Sequence, residues 1–303
     1  MDARTGALLF YRKLQKMEKK EIEHFNETVK TVLKENDLFV TQKYLYHYTD
    51  IYGLEGIVKN KELWLSERNY MNDVNDEKFI QDYIKHYFKN PINWKGSLLE
   101  RELIPQKNQY IFSTSTEKDL IHQWAYYGSQ QSFCIEIDRK KLIDLFYYFN
   151  NETDYYYGPV LYAENDFTKN NKIKKIIDGI ISKYSGIILE DIDNIFEVYS
   201  SPDKKEQYRQ VFQYFYSLIK QYGHYCEHEY RFTLQNSEKP NFRIRKGLFV
   251  PYLKIPFETE NLISKIIIGP NNREDFTERN LNYFLSQNCL SKIEIAKSKM
   301  RIR

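Results

Sequence analysis

Between Leu14 and Asn36 apolar residues recur at three- to five-residue steps, at Leu14, Met17, Ile22, Phe25, Val29 and Leu33, among many charges. That spacing predicts an amphipathic N-terminal helix. The pattern then shortens. Tyr44 to Tyr48 reads as a strand, Asp50 as the cap of a short helix with Ile51, Leu54 and Val58 on its inner face, and Glu62 to Ser66 as a second strand. Asp73 is placed to cap a further helix. Asp76 and Glu77 occupy its first turn, where carboxylates suit the helix dipole, and Phe79, Ile80, Tyr83, Ile84 and Tyr87 follow at helical spacing until Pro91. The segment QYIFSTS, 109–115, reads as a strand. Thr116 reads as the next N-cap, Leu120, Ile121, Trp124 and Tyr127 as a buried helical stripe, and Ser132 to Ile137 as a strand again.

Residues 165–222 read as a mostly helical insert, clearest over Lys172 to Tyr184 and Lys204 to Tyr222. After it, EHEYRFTLQ, LFVPYLKIP and SKIIIGP read as three strands and Arg273 to Leu285 as a helix. Strands and helices mix irregularly instead of alternating strictly. The expected fold class is therefore α+β, a central mainly antiparallel sheet with surrounding helices. The expected organisation is an N-terminal helical bracket over 1–40 and a single α+β domain over 41–303 that carries the insert.

Composition narrows the classes. The 303 residues allow one large domain or two small ones, and 45 basic against 42 acidic residues leave +3, which names no partner. With 27 Tyr, 19 Phe and 3 Trp against 11 Gly and 8 Pro, a disordered or fibrous chain is excluded. Apolar runs such as Ile266 to Ile268 fall far short of the ~20 residues that cross a bilayer, so no membrane span is expected. The run Ala7 to Tyr11 is too short for a signal-peptide core. Cys134, Cys226 and Cys289 form no C-x-x-C, so neither disulfides nor structural zinc are expected, and a reducing cytoplasm fits best. His122 and His228 lack partners at metal-ligand spacing, and no metal is expected.

Three places could carry chemistry. Strand alternation sets His47 with Leu45, opposite Tyr44, Tyr46 and Tyr48. The hydroxyls of FSTST, Phe112 to Thr116, stand at a strand end, where they either cap a helix or line a cleft for a phosphate or amide. In CEHEYRF, alternation groups Glu227, Glu229 and Arg231 on one face and His228, Tyr230, Phe232 and Leu234 on the other. One reading is a solvated face with a weak ion pair. The other is a carboxylate that stabilises a sugar oxocarbenium ion beside a second that orients the nucleophile. Trp124 and Tyr127 fit a helix core, although rings beside a cleft also stack on a nicotinamide or base. Asn72, Asp73 and Glu77 read as a cap and its first turn.

The segments YLYHYTD, KNKELWLSERNYMND with Glu77, IFSTSTEKDLIHQWAYYG, FCIEID, EHEYRF and KIIIGP, in that order from Tyr44 to about Pro270, resemble the bacterial domain-of-unknown-function family 2971. The insert and the N-terminal helix stand outside that resemblance. A histidine on an early strand, a Ser-Thr-Ser strand end and a late Glu-x-Glu pair also resemble the triad of ADP-ribosyltransferases, enzymes with a split sheet. That likeness implies NAD as substrate. His47, with Tyr48 and Thr49 beside it, would grip the nicotinamide ribose; Ser113 and Ser115 would buttress the site; Trp124, Tyr127 and Arg231 would complete the NAD-binding set. Glu229 would be catalytic and Glu227 would assist the acceptor. In the resembling enzymes Ser-Thr-Ser with Glu-x-Glu normally follows an arginine, and this chain has His47 instead. The implied reaction is cleavage of the nicotinamide–ribose bond, with ADP-ribose passed to a protein or nucleic-acid acceptor or to water, in a toxin or phage-defence effector.

Two other classes stand beside it. A non-catalytic nucleic-acid- or partner-binding module is suggested by Lys169, Lys172, Lys174 and Lys175 with many tyrosines. A metal-dependent nuclease on Asp73, Glu77 and His47 ranks last, because these residues give no compact ligand spacing. Nothing in the sequence sets an oligomeric state.

Overall fold

A computed structural model describes residues 21–71, 76–87, 108–127, 131–149, 155–186, 202–236, 239–245, 247–258, 262–270 and 274–300. Helix α1 covers residues 21–35. In chain order follow β1 (Tyr44–Asp50), α2 (Ile51–Asn60), β2 (Glu62–Glu67), α3 (Asp76–Tyr87), β3 (Asn108–Ser115), α4 (Ile121–Tyr127), β4 (Ser132–Asp138) and α5 (Arg139–Phe149). Then come β5 (Tyr155–Pro159), β6 (Leu161–Ala163), α6 (Asn171–Ser185), α7 (Pro202–Leu218), β7 (Ile219–Gln221) and β8 (Glu229–Asn236). The series ends with β9 (Asn241–Arg245), β10 (Leu248–Pro256), β11 (Ile263–Ile268), α8 (Glu274–Gln287) and β12 (Glu294–Lys297).

The chain divides into two compact units, one of Met1–Phe39 with Thr168–Gln213 and one of Val40–Phe167 with Tyr214–Arg303. In the first, α1 buries Phe25, Val29, Val32 and Leu33, and α6 buries Ile173, Ile176, Ile177, Ile180 and Ile181. Both sets recur at helical spacing. Phe25 meets the edge of Tyr184, ring centres 5.0 Å apart.

The second unit is built on a large sheet, and the α+β class with mainly antiparallel pairing holds. Its path is β12-β11-β4-β1-β3-β2-β10-β9, with β8 paired to β3 and β5 to β8. The β11–β12 pair is parallel. Asp50 caps α2 as the sequence predicts, accepting the Gly53 N–H at 2.8 Å, and Leu54, Ile57 and Val58 are buried beneath it. A Cβ on Gly56 would lie 2.2 Å from Cη2 of Trp64, so only glycine lets α2 approach that ring. The β9–β10 hairpin turns through Gly247 at φ +78°, the left-handed region.

Several expectations are corrected. The helix expected to run to Tyr222 ends at Leu218, because residues 219–221 extend and pair in parallel with β6, Leu161 opposite Ile219. Backbone pairing there overrides an apolar pattern that suits either state. Thr116 caps nothing: α4 starts at Ile121, and the Thr116 N–H donates to the His228 carbonyl at 2.8 Å. Ile121 is 53% exposed and not part of a buried stripe, whereas Trp124 is fully enclosed. Strands β5, β6, β7, β9 and β12 and helix α5 were not anticipated. The expectations for Leu14, Met17, Asn72, Asp73, Pro91 and the Tyr127 side chain lie outside the described residues.

Candidate functional site

Strand β3 is a fork. One edge pairs with β8 along its whole length, Asn108 opposite Asn236 through Ser115 opposite Glu229. The other edge is shared, with β2 taking Tyr110 and Ile111 and β1 meeting it at Ser115. Between those pairings His47 fills the gap. Its Nδ1 donates to the Ser113 carbonyl at 2.8 Å, and its ring stacks on Phe112 with centres 4.5 Å apart. A backbone acceptor left without a ladder partner is thus satisfied by a side chain. Burial pushes the imidazole pKa down to about 4; the Ser113 bond opposes this and the nearby Arg243 and Arg245 reinforce it. The ring is therefore neutral, with its proton on Nδ1 and Nε2 left as an acceptor.

Glu229 opens β8 and is only 6% exposed. Its Oε1 accepts from Ser113 Oγ at 2.6 Å and from Arg231 Nε at 2.8 Å, and Oε2 accepts from Lys220 Nζ at 3.3 Å. The chain of charges continues on both sides. Arg231 Nη1 reaches Asp76 Oδ2 at 3.3 Å, which also accepts from Arg68 Nη2 at 2.9 Å. Lys220 Nζ reaches Glu227 Oε2 at 2.7 Å. Burial alone would raise the Glu229 carboxyl, but Arg231 and Lys220, with the Ser113 bond, hold it well below the usual range. The same contest leaves Asp76 lowered and Lys220 raised. These groups are ionised at neutral pH, and the reading of this face as solvated is overturned.

Strand alternation does not explain how Glu227 joins Glu229. Glu227 ends a 3-10 turn, Tyr222–Glu227, and His228 follows at φ +45°. That left-handed residue re-aims the chain so that both carboxylates meet Lys220.

Two adjoining cavities flank Ser113 within this unit. One, of about 340 Å³, is lined by Asp76, Ser115, Lys220, Glu227, Glu229 and Arg231. The other, of about 620 Å³, is lined by His47, Thr49, Tyr52, Trp64, Arg243 and Arg245. Tyr48, Met71, Ser113 and Tyr126 belong to both walls. The expected set therefore does not share one chamber: His47 faces the larger cavity, Glu229 the smaller, and Ser113 stands between them. Ser115 staples the turn beside them, donating to the Glu227 carbonyl at 2.8 Å and accepting the Glu117 N–H at 3.1 Å. Tyr48 OH accepts the Leu120 N–H at 2.9 Å.

Trp124 reaches neither cavity. It packs with Tyr48, Cys134 and Ile267, its Nε1 donates to Asp119 Oδ1 at 2.8 Å, and its expected place against a ligand is corrected to the core. The sequence reading missed Lys220, Arg68, Arg243 and Arg245. Lys220 sat inside an apparent helix. The alternation in NFRIR was the available signal for the two arginines. Among the described residues no cluster of three His, Cys, Asp or Glu could hold a metal ion.

Residues 123–232 match the model of a family described as protein of unknown function, DUF2971. The matched range contains Lys220, Glu227, Glu229 and Arg231, while His47, Ser113 and Asp76 precede it. The insert at 165–222, expected to stand outside the family, falls within the matched range. Comparisons with curated proteins and with solved structures found no match.

Proposed function

We propose that this protein is an ADP-ribosyltransferase-like enzyme that cleaves the nicotinamide–ribose bond of NAD and passes ADP-ribose to a macromolecular acceptor or to water. The supporting observation is Ser113, whose carbonyl accepts from His47 and whose hydroxyl donates to Glu229. One residue thereby ties the proposed ribose ligand to the proposed catalytic carboxylate. His47 Nε2 accepts a ribose hydroxyl. Glu229, ionised and held by three donors, lies beside the positive charge that develops on the ribose as nicotinamide leaves; a carboxylate already oriented needs no reorganisation at that moment. Glu227, whose side chain is 26% exposed, orients the acceptor or water.

The proposed setting is a toxin or phage-defence effector in a reducing cytoplasm, where Cys134, Cys226 and Cys289 would remain free thiols as they are in this structure. Among the described residues no helix is long and apolar enough to cross a membrane.

The test is nicotinamide release from NAD. Glu229→Gln should lower the rate by about 10²–10³-fold in protein that still melts cooperatively. Unchanged release in a folded variant refutes the assignment. Salt-dependent RNA or DNA binding with no release would instead favour a non-catalytic module.

A further inference from the structure

The two cavities differ in charge. The smaller sets the carboxylates of Asp76, Glu227 and Glu229 against Lys220 and Arg231; the larger sets Arg243 and Arg245 against Asp50 alone. The acidic chamber suits the cationic nicotinamide ribose, and the basic chamber suits an anion.

Arg243 and Arg245 lie two residues apart on β9, so alternation directs both to one face, about 7 Å apart along the strand. Arg243 is held in place: Nη2 donates to Ser66 Oγ at 2.7 Å, and its guanidinium lies over the Trp64 ring, 5.3 Å from the centre. Arg245 has no ion-pair partner among the described residues. Across the cavity lie Ile51, Tyr52 and Gly53 at the start of α2, whose Gly53 N–H is already taken by the Asp50 cap. Tyr52 is 70% exposed there and offers an open ring face. A single phosphate would leave most of 620 Å³ unfilled, whereas a dinucleotide fills a cavity of that class.

We infer that Arg243 and Arg245 form a diphosphate-binding subsite that seats the pyrophosphate of a dinucleotide in the larger cavity, with the base against Tyr52 and the reacting ribose directed past Ser113 toward Glu229. The assignment rests on the dinucleotide reading of the site. It makes Arg245 a determinant of affinity with no part in bond cleavage.

The test is calorimetric titration of the full chain with ADP-ribose, inorganic pyrophosphate and adenosine, alongside NAD turnover. Arg245→Gln should weaken ADP-ribose and pyrophosphate about 10- to 100-fold, flatten the salt dependence of both, and leave adenosine unchanged. Arg243→Gln should do the same; because Arg243 also holds Ser66, its melting temperature is measured in parallel. In turnover Arg245→Gln should raise KM with kcat nearly unchanged. Arginine-dependent ADP-ribose binding without any NAD cleavage would uphold the subsite and defeat the glycosidic reading. NAD cleavage with an unaltered KM in Arg245→Gln, or equal ADP-ribose binding by variant and parent, would overturn the subsite.

Discussion

The Ser113 hydroxyl donates to Glu229 Oε1 at 2.6 Å, between residues 116 positions apart in the chain. Removing it tests whether orientation of the carboxylate matters. Ser113→Ala keeps the backbone bond from His47 and leaves Arg231 and Lys220 on Glu229. Stability should fall by about 1 kcal/mol, while nicotinamide release should fall about 10- to 100-fold from a misdirected carboxylate. A stability loss with full activity would make Ser113 purely structural.

Glu227 and Glu229 share Lys220 yet differ in exposure. Glu227→Gln should retain most NAD hydrolysis and lose transfer to an acceptor, read by separate assays of nicotinamide and of labelled acceptor. Loss of both in equal measure would remove the distinction between the two carboxylates.

The buried ions make the fold sensitive to single deletions. Arg231→Met leaves Glu229 and Asp76 short of a partner inside the protein and should cost about 3–5 kcal/mol in urea unfolding. Lys174→Ala breaks the exposed pair with Asp178, 2.7 Å long, and should cost under about 1 kcal/mol. Similar effects for the two would mean that the internal network is no tighter than a surface pair.

His47 gives a stability window on the acid side. From its ordinary value of 6.5 the folded pKa drops to about 4, so between those values the unfolded chain takes up a proton that the folded one refuses. Stability therefore falls as pH is lowered from about 6.5 to about 4, by about 3 kcal/mol. Chemical unfolding of the parent and of His47→Gln across pH 7.5 to 4 checks this. Parallel curves would show that the imidazole is not the group responsible.

Gly56 links packing to the larger cavity. Gly56→Ala forces the Trp64 ring away and should cost about 1–3 kcal/mol. Because Trp64 also lines that cavity, ADP-ribose affinity should fall with it. Unchanged affinity at reduced stability would separate the ring from the ligand.

Much of the scaffold was legible. Strands β1, β2, β3, β8, β10 and β11 announced themselves by alternation and β-branched or aromatic content, and Asp50 by its capping chemistry. Short β6 and β7 were not legible, since three-residue strands carry too little period. The site was half legible. Residue types at His47, Ser113 and Glu229 drew notice, but their meeting depends on the fork at β3, a matter of pairing between distant segments. Arg231 was seen as a neighbour of Glu229; Asp76, read only as a helix-start residue, turned out to be its second partner. Local pattern cannot encode that choice.

The fork also sets when the protein can act. Strand β3 must collect β1 from 66 residues upstream and β8 from 116 downstream before His47, Ser113 and Glu229 meet. On a ribosome, a nascent chain that has not yet released β8 has its imidazole and serine but no carboxylate beside them. Any activity therefore begins only after β8 has been synthesised and has paired with β3, a slow step for non-local sheets.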